Sequence, residues 1–243
     1  MRFYLPPHAW DAAQLNEAET HHAQRVLRLQ PGAAITVFDG DGREASATIE
    51  AFHKKNASLR LGALQQTPRP PFEITLAQAI PKGRNMDLII QKAVELGVTR
   101  IIPLVTDRTI VRCQDDETKQ ERWQAIALEA CKQCGQNWMP LVEAPCSLQE
   151  SLKKKQPNDL HLIASLEKEA VPIKNVFSSS KKNSSPPISS ATIFIGPEGD
   201  FTPEEYLLAR AAGCQAISLG PIVLRTETAA LYCLSVLAYE LLR

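Results

Sequence analysis

The sequence has no excess of charge of either sign. Its 243 residues include 27 Lys and Arg and 27 Asp and Glu, so the formal net charge at pH 7 is zero. A strong basic excess is typical of proteins whose whole surface attracts nucleic acid. Its absence restricts any nucleic-acid contact to local clusters, for which a solvated charged face is the alternative interpretation. The candidate clusters are Arg25 with Arg28, Lys54 and Lys55 with Arg60, and Lys82 with Arg84.

Long apolar runs are also absent. No stretch of about 18 apolar residues is present, which excludes a transmembrane helix. The first residues, MRFYLPPHAWDAAQ, lack the apolar core of a signal peptide. The six cysteines are scattered and do not indicate a disulfide framework. We therefore expect a cytoplasmic protein with no membrane partner.

The chain changes character at a proline-rich segment. Residues 35–49 contain two strand-like runs around Asp-Gly-Asp-Gly, which predicts a hairpin, and a third strand is predicted at 56–61. The segment TPRPPF at 67–72 has three prolines, which a helix or a central strand does not accommodate. This pattern predicts a domain of residues 1–70 and a second domain of residues 71–243.

Strands and helices alternate after the prolines. Helices are predicted at 85–97 and 122–135, and apolar strands at 73–80, 98–106, 159–165, 192–196 and 216–220. This alternation predicts an α/β domain with a mainly parallel sheet and helices on both faces. The Ser-rich segment 178–190 is interpreted as a flexible, solvated insertion.

Two predicted strands end in Gly-Pro loops, IGPEGDFTPEE at 195–205 and SLGPIVLRTETAAL at 218–231. The carboxyl edge of a parallel sheet is where α/β proteins bind ligands, and glycine lets the backbone approach a ligand closely. Neither loop matches GxGxxG or GxxxxGK[ST], so a dinucleotide fold or a P-loop is not supported. The two loops predict a ligand site of another kind.

A helix start follows the first loop. Thr202 is predicted to cap this helix, Pro203 to occupy its first position, and Glu205 to complete a capping box. Carboxylates near a helix N-terminus are mildly favourable, which explains Glu204 and Glu205 without any function. Glu198 precedes the cap and has no such explanation.

Four segments of the chain, in order, resemble one family. IGPEG and LGPIVLRTETA resemble the C-terminal signature of the bacterial 16S ribosomal RNA uridine N3-methyltransferases, the small subunit methyltransferase E family of the SPOUT class. Residues 21–42 resemble its PUA-like RNA-binding domain, and residues 82–108 and 130–137 resemble its helix and linking motifs. The resemblance covers nearly the whole chain.

The resemblance implies a fold, a cofactor and partners. It implies a small PUA-like β-barrel domain followed by a SPOUT domain whose C-terminal segment forms a trefoil knot. It implies a homodimer that binds S-adenosylmethionine in a bent shape at the subunit interface and acts on 16S ribosomal RNA or the small ribosomal subunit. The implied cofactor-binding residues are Leu162, Ala164, Ile195, Gly196, Pro197, Gly199, Leu219, Gly220, Ile222 and Leu224.

The chain departs from the family pattern at a few positions. Asp200 stands where the family usually has glycine, and we interpret it as a possible cap of the following helix. Ile222 stands where a basic residue is usual. Gln136 and Trp138 stand in a segment that tends to contain arginines.

Methyl transfer to uracil N3 leaves negative charge on the ring oxygens, which a fixed cation stabilises. On the resemblance, Arg225 is the candidate for this catalytic cation; its structural alternative is an ion pair with Glu198 or Glu227. Glu198 is the second catalytic candidate, either beside the base or as an organiser of its loop. Phosphate contacts are predicted for four residues, with Arg25 and Arg28 on one helix face: Arg25, Arg28, Lys82 and Arg84.

No metal site is predicted. Cys131 and Cys134 lack a second cysteine pair and are interpreted as core thiols, while His21 and His22 lack further ligands. Two hypotheses compete with the RNA methyltransferase. One is a non-catalytic RNA-binding or ribosome-assembly factor that retains the fold, and the other is a SPOUT enzyme with a different RNA target.

Overall fold

The computed structural model describes residues 1–109, 116–154, 160–177 and 189–241. The chain divides into two compact units. The first contains Met1–Arg69 together with Leu128–Met139, and the second contains Pro70–Ala127 together with Pro140–Arg243. The segment 128–139 thus belongs with residues far away in the sequence, whereas sequence order placed it in the second domain.

The first unit is built on a five-stranded sheet. The strands are β1 Arg2–Tyr4, β2 Gln14–Leu15, β3 Ala34–Phe38, β4 Arg43–Phe52 and β5 Ala57–Gln66. Strands β3, β4 and β5 form an antiparallel meander, β1 joins β3 in parallel, and β2 pairs with β5. The Asp39 carboxylate accepts hydrogen bonds from the backbone N–H groups of Asp41 and Arg43, which fixes the predicted hairpin turn.

A short helix, α1 Glu17–His21, continues into a π-helical turn, His22–Val26. Arg25 lies in this turn, but Arg28 lies beyond it with φ of +54°. A left-handed residue does not continue a right-handed helix. The prediction that Arg25 and Arg28 share a helix face is therefore wrong.

The second unit contains an eight-stranded sheet in which all pairings between the described strands are parallel, as predicted. The strands are β6 Glu73–Ala79, β7 Arg100–Val105, β8 Leu141–Val142, β9 Cys146–Ser147, β10 Leu160–Ala164, β11 Val171–Pro172, β12 Ser190–Ile195 and β13 Gln215–Ser218. Their order in the sheet is β11-β13-β10-β12-β6-β7-β8, with β9 also beside β7.

Further helices are α2 Asn85–Glu95, α3 Asp116–Cys134, α4 Leu148–Lys153, α5 Pro203–Ala211 and α6 Thr226–Leu241. Helices α2, α3 and α5 were predicted, whereas the short α4 was not. Most of the predicted apolar face of α2 is buried, namely Met86, Ile89, Ile90, Ala93 and Val94. Gly97 and Gly135, at φ of +82° and +84°, follow the ends of α2 and α3 as predicted.

The C-terminal part of the chain surrounds the ends of the central strands. After β12 the chain forms α5, adds β13 on the far side of β10, and returns so that α6 packs against α2, β6 and β12. The trefoil knot stays a prediction. The Ser-rich segment lies outside the described residues up to residue 188. Within the described ranges, no helix is long and apolar enough to cross a membrane.

Candidate cofactor pocket

A cavity of about 730 Å³ lies at the carboxyl ends of β10, β12 and β13. The catalytic candidates Glu198 and Arg225 line it, together with most of the predicted cofactor residues: Ala164, Ile195, Gly196, Pro197, Gly199, Leu219, Gly220, Ile222 and Leu224. Leu162 does not line the cavity. It is fully buried within β10, because β10 lies between β12 and β13 in the sheet. The part of β10 that lines the cavity begins further along the strand, at Ala164.

A buried hydrogen-bond chain holds the start of the first Gly-Pro loop. The Thr226 hydroxyl donates to the carbonyl oxygen of Gly196 at 2.7 Å and accepts from the Gln78 amide at 2.9 Å. Gln78 is 0% exposed and Thr226 is 5% exposed. These hydrogen bonds join β6, the loop after β12 and the first turn of α6. Sequence analysis missed Gln78, although a glutamine in an otherwise apolar strand is a usable signal.

Glu198 ties the first Gly-Pro loop to the loop after β6. Its Oε1 accepts a hydrogen bond from the backbone N–H of Lys82 at 2.9 Å. Asn85 lines the cavity and donates to Glu227 at 3.4 Å. The exposed side chains of Lys82 and Arg84 therefore flank a segment that contacts the cavity wall.

The loop after β7 also holds this wall. The Arg108 guanidinium donates to the carbonyl oxygens of Gly199 and Phe201. Glu205 accepts the backbone N–H of Thr202 at 2.8 Å and that of Asp107 at 3.0 Å. The predicted capping box is confirmed, and Glu205 has a second contact that its sequence position did not reveal.

Asp200 adopts a glycine-like conformation, with φ of +62°. Its Oδ1 accepts a hydrogen bond from the Tyr206 hydroxyl at 2.7 Å. Burial, followed by the contact with Asp200, raises the pKa of Tyr206, so the phenol keeps its proton at neutral pH. Thr202, not Asp200, is the N-cap of α5, so the capping interpretation of Asp200 is wrong.

The second Gly-Pro loop exposes both apolar and charged side chains. Gly220 has φ of +132°, and a Cβ atom there would meet nothing within 4 Å. Ile222 and Val223 are 71% and 76% exposed. Arg225 is exposed, and in the described part of the chain it forms no ion pair, so the alternative pairing with Glu198 or Glu227 is not formed.

In the first unit, Arg25 and Arg28 are both exposed.

Trp138 carries no charge, and its side chain contacts the proline-rich segment. Its indole N–H lies 3.0 Å from the carbonyl oxygen of Pro68 and 3.2 Å from that of Thr67. The Arg69 guanidinium stacks on the indole at 4.9 Å from the ring centroid.

The two cysteines of α3 have different environments. Cys131 is buried, and burial raises the pKa of its thiol to about 12, as fits a core thiol. Cys134 is exposed, so the interpretation of both as core thiols is wrong for Cys134. Among the described residues, no group of three or more His, Cys, Asp or Glu side chains is arranged to hold a metal ion.

Comparison with known protein families finds two matches. Residues 68–238 match the family described as RNA methyltransferase domain, and residues 15–62 match the RNA methyltransferase PUA domain. The second match gives the first unit its PUA-like assignment.

Similar proteins extend over nearly the whole chain. A ribosomal RNA small subunit methyltransferase E from Bacillus subtilis is 35% identical, covering 93% of this chain and 90% of that protein. One from Rickettsia conorii is 36% identical, covering 95% and 91%.

Solved structures agree with this similarity. A methyltransferase from Legionella pneumophila, solved with the cofactor SAM, aligns with a TM-score of 0.86 and 34% identity over 98% of this chain and 96% of that one. A ribosomal RNA small subunit methyltransferase E from Neisseria gonorrhoeae, bound to S-adenosyl methionine, aligns with a TM-score of 0.85, 34% identity and the same coverages. The chain therefore belongs to the ribosomal RNA small subunit methyltransferase E family.

Proposed function

We propose that this protein transfers a methyl group from S-adenosylmethionine to N3 of a uridine in 16S ribosomal RNA of the small ribosomal subunit, in the cytoplasm. The observation that carries the proposal is the cavity between the two Gly-Pro loops. It is supported by the family and by similar structures that hold this cofactor.

The cavity fits a ligand of this kind. Its volume of about 730 Å³ is in the usual range of small-molecule sites. A side chain at Gly196 would be crowded, because a Cβ atom there would lie 3.2 Å from the ring of Phe201 and 3.3 Å from Asp200. The wall therefore offers bare backbone at Gly196 and Gly220, with apolar side chains such as Ile195 and Leu219. When bound, the cofactor supplies a reactive methyl group on a sulfonium with a good leaving group.

Arg225 is the proposed catalytic cation. Its exposed guanidinium belongs to a residue of the cavity wall and has no carboxylate partner within the described ranges. It can therefore stabilise negative charge that develops on the uracil oxygens once the N3 proton has left. Glu198 was the second candidate; its hydrogen bond to the backbone of Lys82 supports the role of loop organiser.

We propose that Lys82 and Arg84 bind RNA phosphates beside the cavity, while Arg25 and Arg28 do so on the PUA-like unit. All four side chains are exposed. Such contacts fix position and orientation, whereas sequence is read through the bases.

We also propose that the protein is a homodimer. Large apolar side chains are exposed on the second loop and on α2 and α6, namely Ile222, Val223, Leu88 and Tyr232. A second copy would remove this surface from water, which is favourable. Light scattering of the purified protein should give twice the chain mass.

The function is tested by incubating the purified protein with small ribosomal subunits that lack the modification and with labelled S-adenosylmethionine. We expect label at N3 of one uridine in 16S ribosomal RNA. The matched control is Gly220→Val. A Cβ atom there meets nothing within 4 Å, but a β-branched residue strains the backbone at φ of +132° and so displaces the second Gly-Pro loop. The variant should lose cofactor binding while circular dichroism shows that it is folded. RNA binding by a wild-type protein that takes up no cofactor would instead favour the non-catalytic factor, and label on another base would favour a different RNA target.

A further inference from the structure

The cavity wall carries more unpaired carboxylates than cations. In the described structure, Glu198, Asp200 and Glu227 line it without an ion pair, and they accept hydrogen bonds from neutral donors on Lys82, Tyr206 and Asn85 respectively. The fourth carboxylate of the wall, Glu167, is compensated by an ion pair with Arg210.

Two arginines oppose these charges. Arg225 is the one cation among the residues described as lining the cavity. Arg108 lies outside the lining and binds the carbonyl oxygens of Gly199 and Phe201. The wall therefore remains acidic on the side of the first Gly-Pro loop.

Asp200 is held at its side chain and at the residues beside it. The Tyr206 hydroxyl donates to its Oδ1, and Arg108 donates to the carbonyl oxygens of Gly199 and Phe201. Its left-handed backbone is a conformation that Asp and Asn tolerate better than most residues.

We propose that Asp200 makes the pocket prefer S-adenosylmethionine over the demethylated product, S-adenosylhomocysteine. This inference rests on the proposed function. When the methyl carbon leaves, the C–S bonding pair stays on sulfur. The uracil nitrogen supplies the pair for the new N–C bond after its proton has passed to a base or to water. The sulfonium thereby becomes a neutral thioether. Cofactor and product differ by one positive charge, and a fixed carboxylate nearby favours the charged form.

The consequence is a cofactor that competes better against retained product. Because the carboxylate attracts only the charged form, the cofactor displaces the thioether at a lower concentration than it would in a pocket without this charge. The preference is electrostatic, so added salt should reduce it.

The test is calorimetry of the full-length protein with each ligand, comparing wild type with Asp200→Asn. Asparagine keeps the size, the acceptor for Tyr206 and the tolerance of positive φ, and removes only the charge. We expect the ratio of the two dissociation constants, product over cofactor, to fall ~2–10-fold at low salt, from screened Coulomb attraction. The matched control is Glu204→Gln, an equal charge change at an exposed residue outside the lining, which should move the ratio less.

Asp200→Gly separates charge from loop geometry, because it also removes the acceptor for Tyr206. An equal fall of the ratio in both variants supports the role of the Asp200 charge. A wild-type ratio in Asp200→Asn, or a fall confined to Asp200→Gly, overturns the inference and leaves the proposed function intact. If wild-type protein binds neither ligand, the proposed function fails and this inference with it.

Discussion

Arg225 and Thr226 are neighbours in the sequence with opposite environments. Arg225 is exposed at the cavity wall, whereas Thr226 is 5% exposed and bonded to Gly196 and Gln78. The Arg225 side chain is accessible to a substrate, whereas Thr226 fixes the position of the cavity wall. Substitutions at the two sites should therefore change different measurements.

Arg225→Ala should lower the single-turnover methylation rate by ~10²–10³, the range for loss of one preorganised donor. Cofactor affinity should change little, because the benefit of the cation arises as charge develops. Arg225→Lys should recover part of the rate, since a point charge does not reproduce the planar guanidinium. An alanine variant that keeps its rate but melts several degrees lower would identify Arg225 as structural.

Thr226→Val should weaken cofactor binding and reduce the free energy of unfolding by about 1–3 kcal/mol, because a buried amide and a carbonyl lose their partner. Thr226→Ser keeps the hydroxyl and should restore most of the affinity measured by calorimetry. The control is Thr192→Val, a buried threonine of β12 outside the lining. Wild-type affinity and stability in the valine variant would mean that the hydrogen bonds of Thr226 do not hold the cavity wall.

At the scale of elements, α5 does more than follow the first Gly-Pro loop. Glu205 caps its first turn and also binds the backbone of Asp107 after β7. Tyr206 in the same turn holds Asp200. The first turn of α5 thus connects two strand-end loops of the same sheet edge.

Glu204 and Glu205 form a matched pair for testing this connection. Glu205→Ala should lower the free energy of unfolding by about 1–3 kcal/mol, because two backbone N–H groups lose their acceptor. The exposed Glu204→Ala should change it by less than about 0.5 kcal/mol. Urea denaturation of both variants measures the difference. Similar values for the two would show that the contact with Asp107 contributes nothing.

At the scale of the whole molecule, zero net charge makes RNA binding depend on local groups. Arg25 and Arg28 are exposed on the PUA-like unit, although they do not share a helix face. Several exposed basic residues are candidates for phosphate contacts. The salt dependence of RNA binding identifies such contacts better than affinity alone, because its slope depends on the number of phosphates that are neutralised.

Arg25→Glu with Arg28→Glu should weaken RNA binding and reduce the slope of log affinity against log salt by about 0.7–0.9 per lost phosphate contact. Cofactor affinity should stay the same, because the cavity is built from residues of the second unit. The comparison is Lys54→Glu with Lys55→Glu, an equal charge change on exposed residues of another candidate cluster between β4 and β5, which shows whether the loss is specific to the two arginines. An unchanged slope in the arginine variant would exclude both arginines as phosphate contacts.

The spacing of residue types along the chain was enough to predict the features that depend on neighbouring residues. The capping box at Thr202, the glycines after α2 and α3, the hairpin turn at Asp39 and the apolar face of α2 all agree with the structure. Each is settled within about a turn or a strand length, where the spacing of residue types decides the local structure. The Gly-Pro loops were predicted at one sheet edge for the same reason, since both end parallel strands.

The residues that complete those loops come from distant parts of the chain. Gln78 and Thr226 are 148 positions apart, and Glu205 and Asp107 are 98 apart, yet each pair forms a hydrogen bond that holds the loops at this sheet edge. The positive φ of Asp200, the placement of Arg28 and the grouping of 128–139 with the first unit were equally invisible in the sequence. Strand order is not sequence order, and only the packed sheet brings β6, β10, β12 and β13 together, so contacts of this kind arise from packing and not from local spacing.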